Sequence, residues 1–317
     1  MLTAPLLRAH ISMNHLDFAP AMRRLESGTT VRLLSPMGLY PAQAAFRNPE
    51  AAIVATPEIA VLITRFSPVP EPEPYFYSEV EFLSAFEVRA LASVLLCRKF
   101  ETGGMCLYPV EEHCQIEDST IDLSKIKILK KLLACLIAQL PADRSSRKAH
   151  APPCVGGNPY VFNEHCEIDR RRFTRLFRSI DVEDHLLIRG LGTLVKAAML
   201  SSHYEFLEHA NIALWIALDA SLRLLLREMR KAGFLNPTAK DAGALLDDAF
   251  DNQYASEGYF TDFYEDRIKT IHPESRYGTY PAAPLSVDDY YMLDKSLRSV
   301  YEFLITGRVE KGWRERR

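Results

Sequence analysis

The chain has 317 residues, 48% of them hydrophobic and 25% charged, with a formal net charge of −3. That length suits two domains, and that composition suits ordinary globular cores. The slightly acidic balance excludes a protein that binds polyanions through bulk charge, so any contact with a nucleic acid has to come from a local patch.

Residues 1–8 lack a basic region followed by a long apolar run, which argues against a secretory signal. No run approaches the roughly 18 uninterrupted apolar residues of a membrane span. The six cysteines, Cys97, Cys106, Cys114, Cys135, Cys154 and Cys166, include no CxxC pair. The expectation is a cytoplasmic protein with reduced thiols and no membrane contact.

Residues 1–28 are poorly patterned. From Thr29 onward the chain reads as strands and turns. Residues 30–34, 51–55 and 59–66 are short β-rich or apolar runs, bounded by Ser35-Pro36 and Thr56-Pro57. Residues 67–74 carry four prolines in eight positions and read as an extended connector. Phe82, Leu83, Phe86, Ala90, Leu91, Val94 and Leu95 recur at helical spacing and predict a helix over 79–100, ended by Gly103-Gly104. A strand follows at 105–110, and a second helix at 123–140. The lysines of that helix, Lys125, Lys127, Lys130 and Lys131, read as a solvated face. Residues 141–159, with Pro152-Pro153 and Gly156-Gly157, are the best linker. Residues 1–160 are therefore expected to form a mixed α+β domain, a candidate sensor or regulatory domain.

Two Glu-His-Cys triplets, Glu112-His113-Cys114 and Glu164-His165-Cys166, raise the question of zinc, with Cys106 and Cys154 upstream. Zinc sites are usually nucleated by a tight CxxC or HxxxH pair, which is missing. Buried or idle thiols are the simpler reading, and neither a metal nor a cofactor is expected.

Residues 161–317 read as helices. Residues 169–178 form a short amphipathic segment with five arginines, Arg170, Arg171, Arg172, Arg175 and Arg178. This is the strongest local basic patch. It reads either as a phosphate-backbone contact or as a solvated helix face. Asp181 is placed to cap the next helix, which runs to about Met199 with Gly190 and Gly192 weakening its middle. A long helix over about 203–231 is apolar over a wide arc and closed by Gly233. Asp219 sits in its middle, where a buried carboxylate would need a partner; Arg267 and Arg223 both qualify. Further helices are expected from Asn236-Pro237 to about Phe250, over 259–271, and from a Ser286 cap to Gly307.

Arg267 and His272 stand five positions apart at the end of the 259–271 helix, which Pro273 terminates. An arginine fork and an imidazole there could converge on one small anion. The plainer reading is a surface arginine beside a histidine favoured by the helix dipole.

Taken together, residues 200–307 resemble the HEPN superfamily of small α-helical bundles. The resemblance rests on the long helix with Leu214-Trp-Ile-Ala-Leu-Asp-Ala-Ser-Leu, the Arg267-x4-His272 element on a later helix, and the His-Pro-Glu-Ser-Arg-Tyr-Gly segment before a final Ser-Val-Asp-Asp-Tyr-Tyr helix. It implies metal-independent RNA cleavage by a homodimer, of the kind found in toxins and defence effectors. In that scheme a 2′-hydroxyl attacks the adjacent phosphodiester. His272 is the general acid or base, Arg267 stabilises the phosphate charge, and Asp219 orients Arg267. Ile268 stands where active members commonly carry a polar residue. Some relatives have lost catalysis and serve as nucleotide-binding or dimerisation modules, which is the alternative reading.

Overall fold

The computed structural model describes residues 28–36, 45–48, 50–55, 60–66, 83–97, 107–116, 122–130, 169–201, 206–250, 259, 260, 262–264 and 287–307. They form an antiparallel sheet and a set of helices, an α+β protein. The chain divides into two compact units. One comprises Met1–Ala90 and Lys99–Ile168, the other Leu91–Arg98 and Asp169–Arg317.

The first unit holds the sheet. Strands β1 (Gly28–Pro36), β2 (Ala45–Arg47), β3 (Ala51–Ala55), β4 (Ala60–Phe66) and β5 (Leu107–Ile116) pair in the order β2-β3-β4-β1-β5. Each pairing is antiparallel. In β4 the consecutive residues Leu62, Ile63 and Thr64 are all buried. Successive strand residues point to opposite faces, so this stretch of β4 is covered on both sides. The β2–β3 hairpin is closed by Asn48. Its side-chain oxygen accepts from the amides of Glu50 (2.8 Å) and Ala51 (2.7 Å), an Asx turn. β5 is longer than the strand expected at 105–110. It carries Glu112, His113 and Cys114 into register with Leu33, Arg32 and Val31. The first Glu-His-Cys triplet is thus part of a sheet ladder, and the second lies outside the described residues.

Helix α1 (Ala85–Cys97) opens on a capping box. The Ser84 amide donates to Glu87 Oε2 (2.8 Å), and the Glu87 amide donates to Ser84 Oγ (3.3 Å). The helix starts later than the apolar spacing alone predicts, because Ser84 and Glu87 fix its first turn. In the sheet unit its Arg89 reaches Glu50 on the hairpin (2.6 Å).

The second unit is helical. It contains α2 (Arg170–Ser179), α3 (His185–Leu200), α4 (Leu207–Lys231), α5 (Ala239–Phe250) and α6 (Val287–Thr306). α4 packs on α3, α5 and α6, and α2 packs on α6. α4 is the one described helix long and apolar enough to cross a membrane, and most of that apolar length is buried inside the unit. Its inward side carries Leu214, Trp215, Leu218, Leu224 and Leu225, all buried. Each such side chain is worth roughly 1.5–3 kcal/mol over an exposed one. α4 ends where Gly233 adopts φ +95°, a left-handed conformation that costs a glycine little.

The cap of α3 differs from the expectation. Asp184, not Asp181, accepts the Leu187 amide (3.2 Å), while Asp181 closes the preceding turn through the Glu183 amide (3.0 Å). Asp184 also pairs with Arg227 on α4, Nη1 to Oδ1 at 3.0 Å. Gly190 has a packing role the sequence did not reveal. A Cβ there would lie 2.8 Å from Cζ of Tyr301 and closer still to its hydroxyl. The missing side chain lets the α6 tyrosine lie against α3 and donate to Ala217 O on α4 (2.7 Å). Burial, and secondarily the charge of Asp219, push the Tyr301 hydroxyl pKa up from its ordinary value, so it stays protonated as a structural donor. α5 begins with a second reciprocal cap, Thr238 with Asp241.

Candidate nucleic-acid interface

The arginine-rich segment folds as α2 because its two faces differ sharply. Asp169 caps it, its carboxylate accepting from the amides of Arg171 (2.8 Å) and Arg172 (3.2 Å). Phe173, Leu176, Phe177 and Ile180 are buried at helical spacing. The rings of Phe173 and Phe177 stack at 5.9 Å between centroids. The opposite face carries Arg171, Thr174, Arg175, Arg178 and Ser179, all exposed, lining an open depression of about 630 Å³.

Arg172 does not belong to that face. Its side chain is 8% exposed and lies against Glu302 of α6, which is 5% exposed. Nε donates to Oε1 at 2.9 Å, and Nη2 donates to Oε2. The bidentate geometry suits a guanidinium and a carboxylate that have both left water. The inclusion of Arg172 among phosphate-binding residues is therefore corrected: its charge is neutralised within the core. Apolar spacing foreshadows this, since Arg172 falls on the Phe173–Leu176–Phe177 side, but Glu302 is 130 residues away along the chain. Arg175 also touches Glu302 Oε1, at 3.4 Å, while its side chain stays 45% exposed. Arg171 and Arg178 have no ion-pair partner among the described residues. The side chain of Arg170 lies outside them.

One carboxylate, Glu302, thus serves two guanidinium groups, and the surface of α2 keeps an excess of positive charge. Arg171 to Arg178 covers roughly 10 Å of helix axis. Three guanidinium groups along that length can meet successive phosphates of a single strand.

Asp219 is the other predicted site residue the structure describes. It is not a buried carboxylate. Its side chain is 50% exposed, and its Oδ2 lies 3.3 Å from Arg223 Nε, one turn along α4. The expectation of a core position fails because α4 turns a narrow stripe of its surface outward at this point. Arg267 and His272 lie outside the described residues. Residues 259, 260 and 262–264 are helical, with Tyr259 and Phe260 buried and Tyr264 exposed. Among the described residues no group of three His, Cys, Asp or Glu side chains is placed to hold a metal ion.

The chain matches no protein-family model, no curated protein and no solved structure.

Proposed function

We propose that this protein binds RNA along the exposed arginines of α2 and cleaves it at Arg267 and His272, as an endoribonuclease of HEPN type acting in the cytoplasm as a toxin or defence effector. The observation that supports RNA binding best is the open face of Arg171, Arg175 and Arg178, held outward by a helix whose other side is apolar. Support for cleavage comes from the sequence, in the Arg267-x4-His272 element. In the proposed reaction one histidine takes the 2′-hydroxyl proton, and the 2′-oxygen attacks the adjacent phosphorus. The P–O5′ bond breaks, and a second histidine, from a partner protomer, protonates the leaving O5′. Arg267 offsets the charge that gathers on the phosphoryl oxygens. The products are a 2′,3′-cyclic phosphate and a 5′-hydroxyl.

Two observations favour a second reading, a non-catalytic helical module that binds nucleotides or another protomer. Ile268 follows Arg267, and Asp219 already has Arg223 as a local partner.

The test combines binding and cleavage. Wild-type protein, His272→Ala and the triple variant R171E/R175E/R178E are incubated with single-stranded RNA in EDTA. The ribonuclease reading expects cyclic phosphate ends from wild type, none from His272→Ala, and loss of binding in the triple variant. Binding by wild type should weaken steeply with salt, with a slope of about −0.7 per phosphate contacted. Cleavage by His272→Ala at the wild-type rate would sink the catalytic assignment. Equal binding by wild type and the triple variant would sink the α2 interface. Binding without cleavage would select the module.

A further inference from the structure

α2 turns its aromatic surface inward. Phe173 and Phe177 are 5% and 3% exposed and stack on each other, so neither ring is open to a nucleobase. Among the described side chains of α2, those turned outward are Arg171, Thr174, Arg175, Arg178 and Ser179. Proteins that hold single strands by their bases offer aromatic platforms for stacking. Base edges are read by amides and carboxylates as well as by arginine. The outward side of α2 offers guanidinium groups and hydroxyls alone, donors that suit phosphate oxygens.

The three arginines are also aligned. On a regular helix Arg175 and Arg178 lie within roughly 40° and 20° of Arg171 around the axis, and about 6 Å and about 10.5 Å along it. This makes one row of charge. A row matches a chain of anions, whereas a single compact anion would meet only part of it. Glu302 restrains the middle of the row, with Oε1 3.4 Å from Arg175 Nη2. Its side chain is 5% exposed and already bonded to Arg172, so it holds Arg175 from the buried side and presents little negative charge to a ligand.

We infer that the α2 face recognises a linear chain of phosphates by its charge alone, whatever joins them. Strands of any base composition, with ribose or deoxyribose, are then equal ligands, and inorganic polyphosphate competes for the same arginines. The inference rests on the proposed binding of RNA at α2 and deepens it, by assigning that contact no part in base recognition. Neighbouring phosphates share an oxygen in polyphosphate, whereas a sugar separates them in a nucleic acid. More charge therefore falls within the roughly 10 Å of the row, which makes polyphosphate the stronger ligand at equal chain length.

Fluorescence anisotropy on the full chain tests it, with labelled single-stranded DNA of one length and several compositions: adenine only, cytosine only, thymine only and mixed with guanine. Deoxy strands lack the 2′-hydroxyl that the proposed cleavage needs, so binding is read without turnover. Dissociation constants should agree within about threefold, as sequence-tolerant contacts do. Association constants should fall with salt on a log–log slope of about −2, three contacts at roughly 0.7 each. Unlabelled linear polyphosphate should displace every strand. Arg171→Ala and Arg178→Ala, both at exposed positions, should weaken all strands by one factor and make the slope shallower by about 0.7. A base-reading arginine would instead change the ranking of the strands. Arg178→Lys should keep most of the affinity, because phosphate accepts a point charge where a base edge needs the fork. The ranking and the displacement need only wild type, so they decide the matter even where a variant fails to fold. A preference of about tenfold or more for one composition, or a bound strand that excess polyphosphate does not displace, would overturn the inference. Such a preference, abolished in R171E/R175E/R178E, would leave RNA binding at α2 standing. A wild type that binds no strand would overturn both.

Discussion

Removing the carboxylate of Glu302 tests the packing that shapes the arginine face. Glu302 and Arg172 have side chains 5% and 8% exposed, joined by two hydrogen bonds between α6 and α2. Glu302→Ala would take from a core guanidinium the carboxylate that Nε and Nη2 both bond. Breaking a buried pair from one side costs about 3–5 kcal/mol, whereas replacing both partners with apolar side chains of similar volume is often neutral or better. The expected order is therefore a large loss for Glu302→Ala, a smaller one for Arg172→Met, and recovery of most of the loss in R172M/E302L. Arg172→Met is milder because Glu302 keeps Arg175 within 3.4 Å. Urea unfolding followed by circular dichroism gives the three values, on a single scale if the slope is unchanged. The surface readout should move separately. Arg172→Met leaves Arg171, Arg175 and Arg178 in place, so RNA binding should survive it. A loss below about 1 kcal/mol for Glu302→Ala would refute the reasoning, because an exposed ion pair contributes only that much. So would a double variant no more stable than Glu302→Ala.

Gly190→Ala is expected to cost about 1–3 kcal/mol by overpacking against Tyr301, measured by the same unfolding experiment, and Tyr301→Phe about 1 kcal/mol through the lost bond to Ala217 O. Their combination should cost less than the sum, since removing the hydroxyl makes room for the methyl group. The Asp184–Arg227 bond holds the Asp184 carboxyl below its ordinary value of 3.8 and the Arg227 guanidinium above its own. Because the folded carboxyl pKa is depressed, this contribution to stability is fully present above 3.8 and disappears as pH falls through the lower folded value. Melting temperatures across pH 7 to about 2 should therefore fall less steeply for Asp184→Asn than for wild type. Parallel curves would show that Asp184 plays no part in acid unfolding.

What the sequence makes legible follows from which forces are local. Gly233 ends α4 where the sequence places its end. The reciprocal caps of Ser84 with Glu87 and Thr238 with Asp241 start α1 and α5 later than the expected 79 and 236, because apolar spacing alone does not mark a first turn. Apolar spacing also finds the long central helix and the buried side of α6, where Tyr290, Leu293, Leu297, Val300 and Tyr301 are all buried. The cap of α3 is harder to read: Asp181 looks placed for it, yet Asp184, three residues on, accepts the Leu187 amide. The choice of Asp184 coincides with a long-range partner, Arg227, that local reasoning does not see. The same limit decides the site. Five arginines in a row read as one patch, yet the helix turns Arg172 inward, where Glu302 stabilises it 130 residues along the chain. Asp219 fails in the opposite sense. Its neighbours Leu218 and Leu222 suggest a core carboxylate, but a helix packed on α3, α5 and α6 still leaves Asp219 half-exposed. A charged residue mid-helix is thus ambiguous between a buried functional group and a surface clasp, and the residues three and four away resolve it. Ile216 and Arg223, both exposed, place Asp219 on the outward face of α4, where Arg223 one turn along is its local partner.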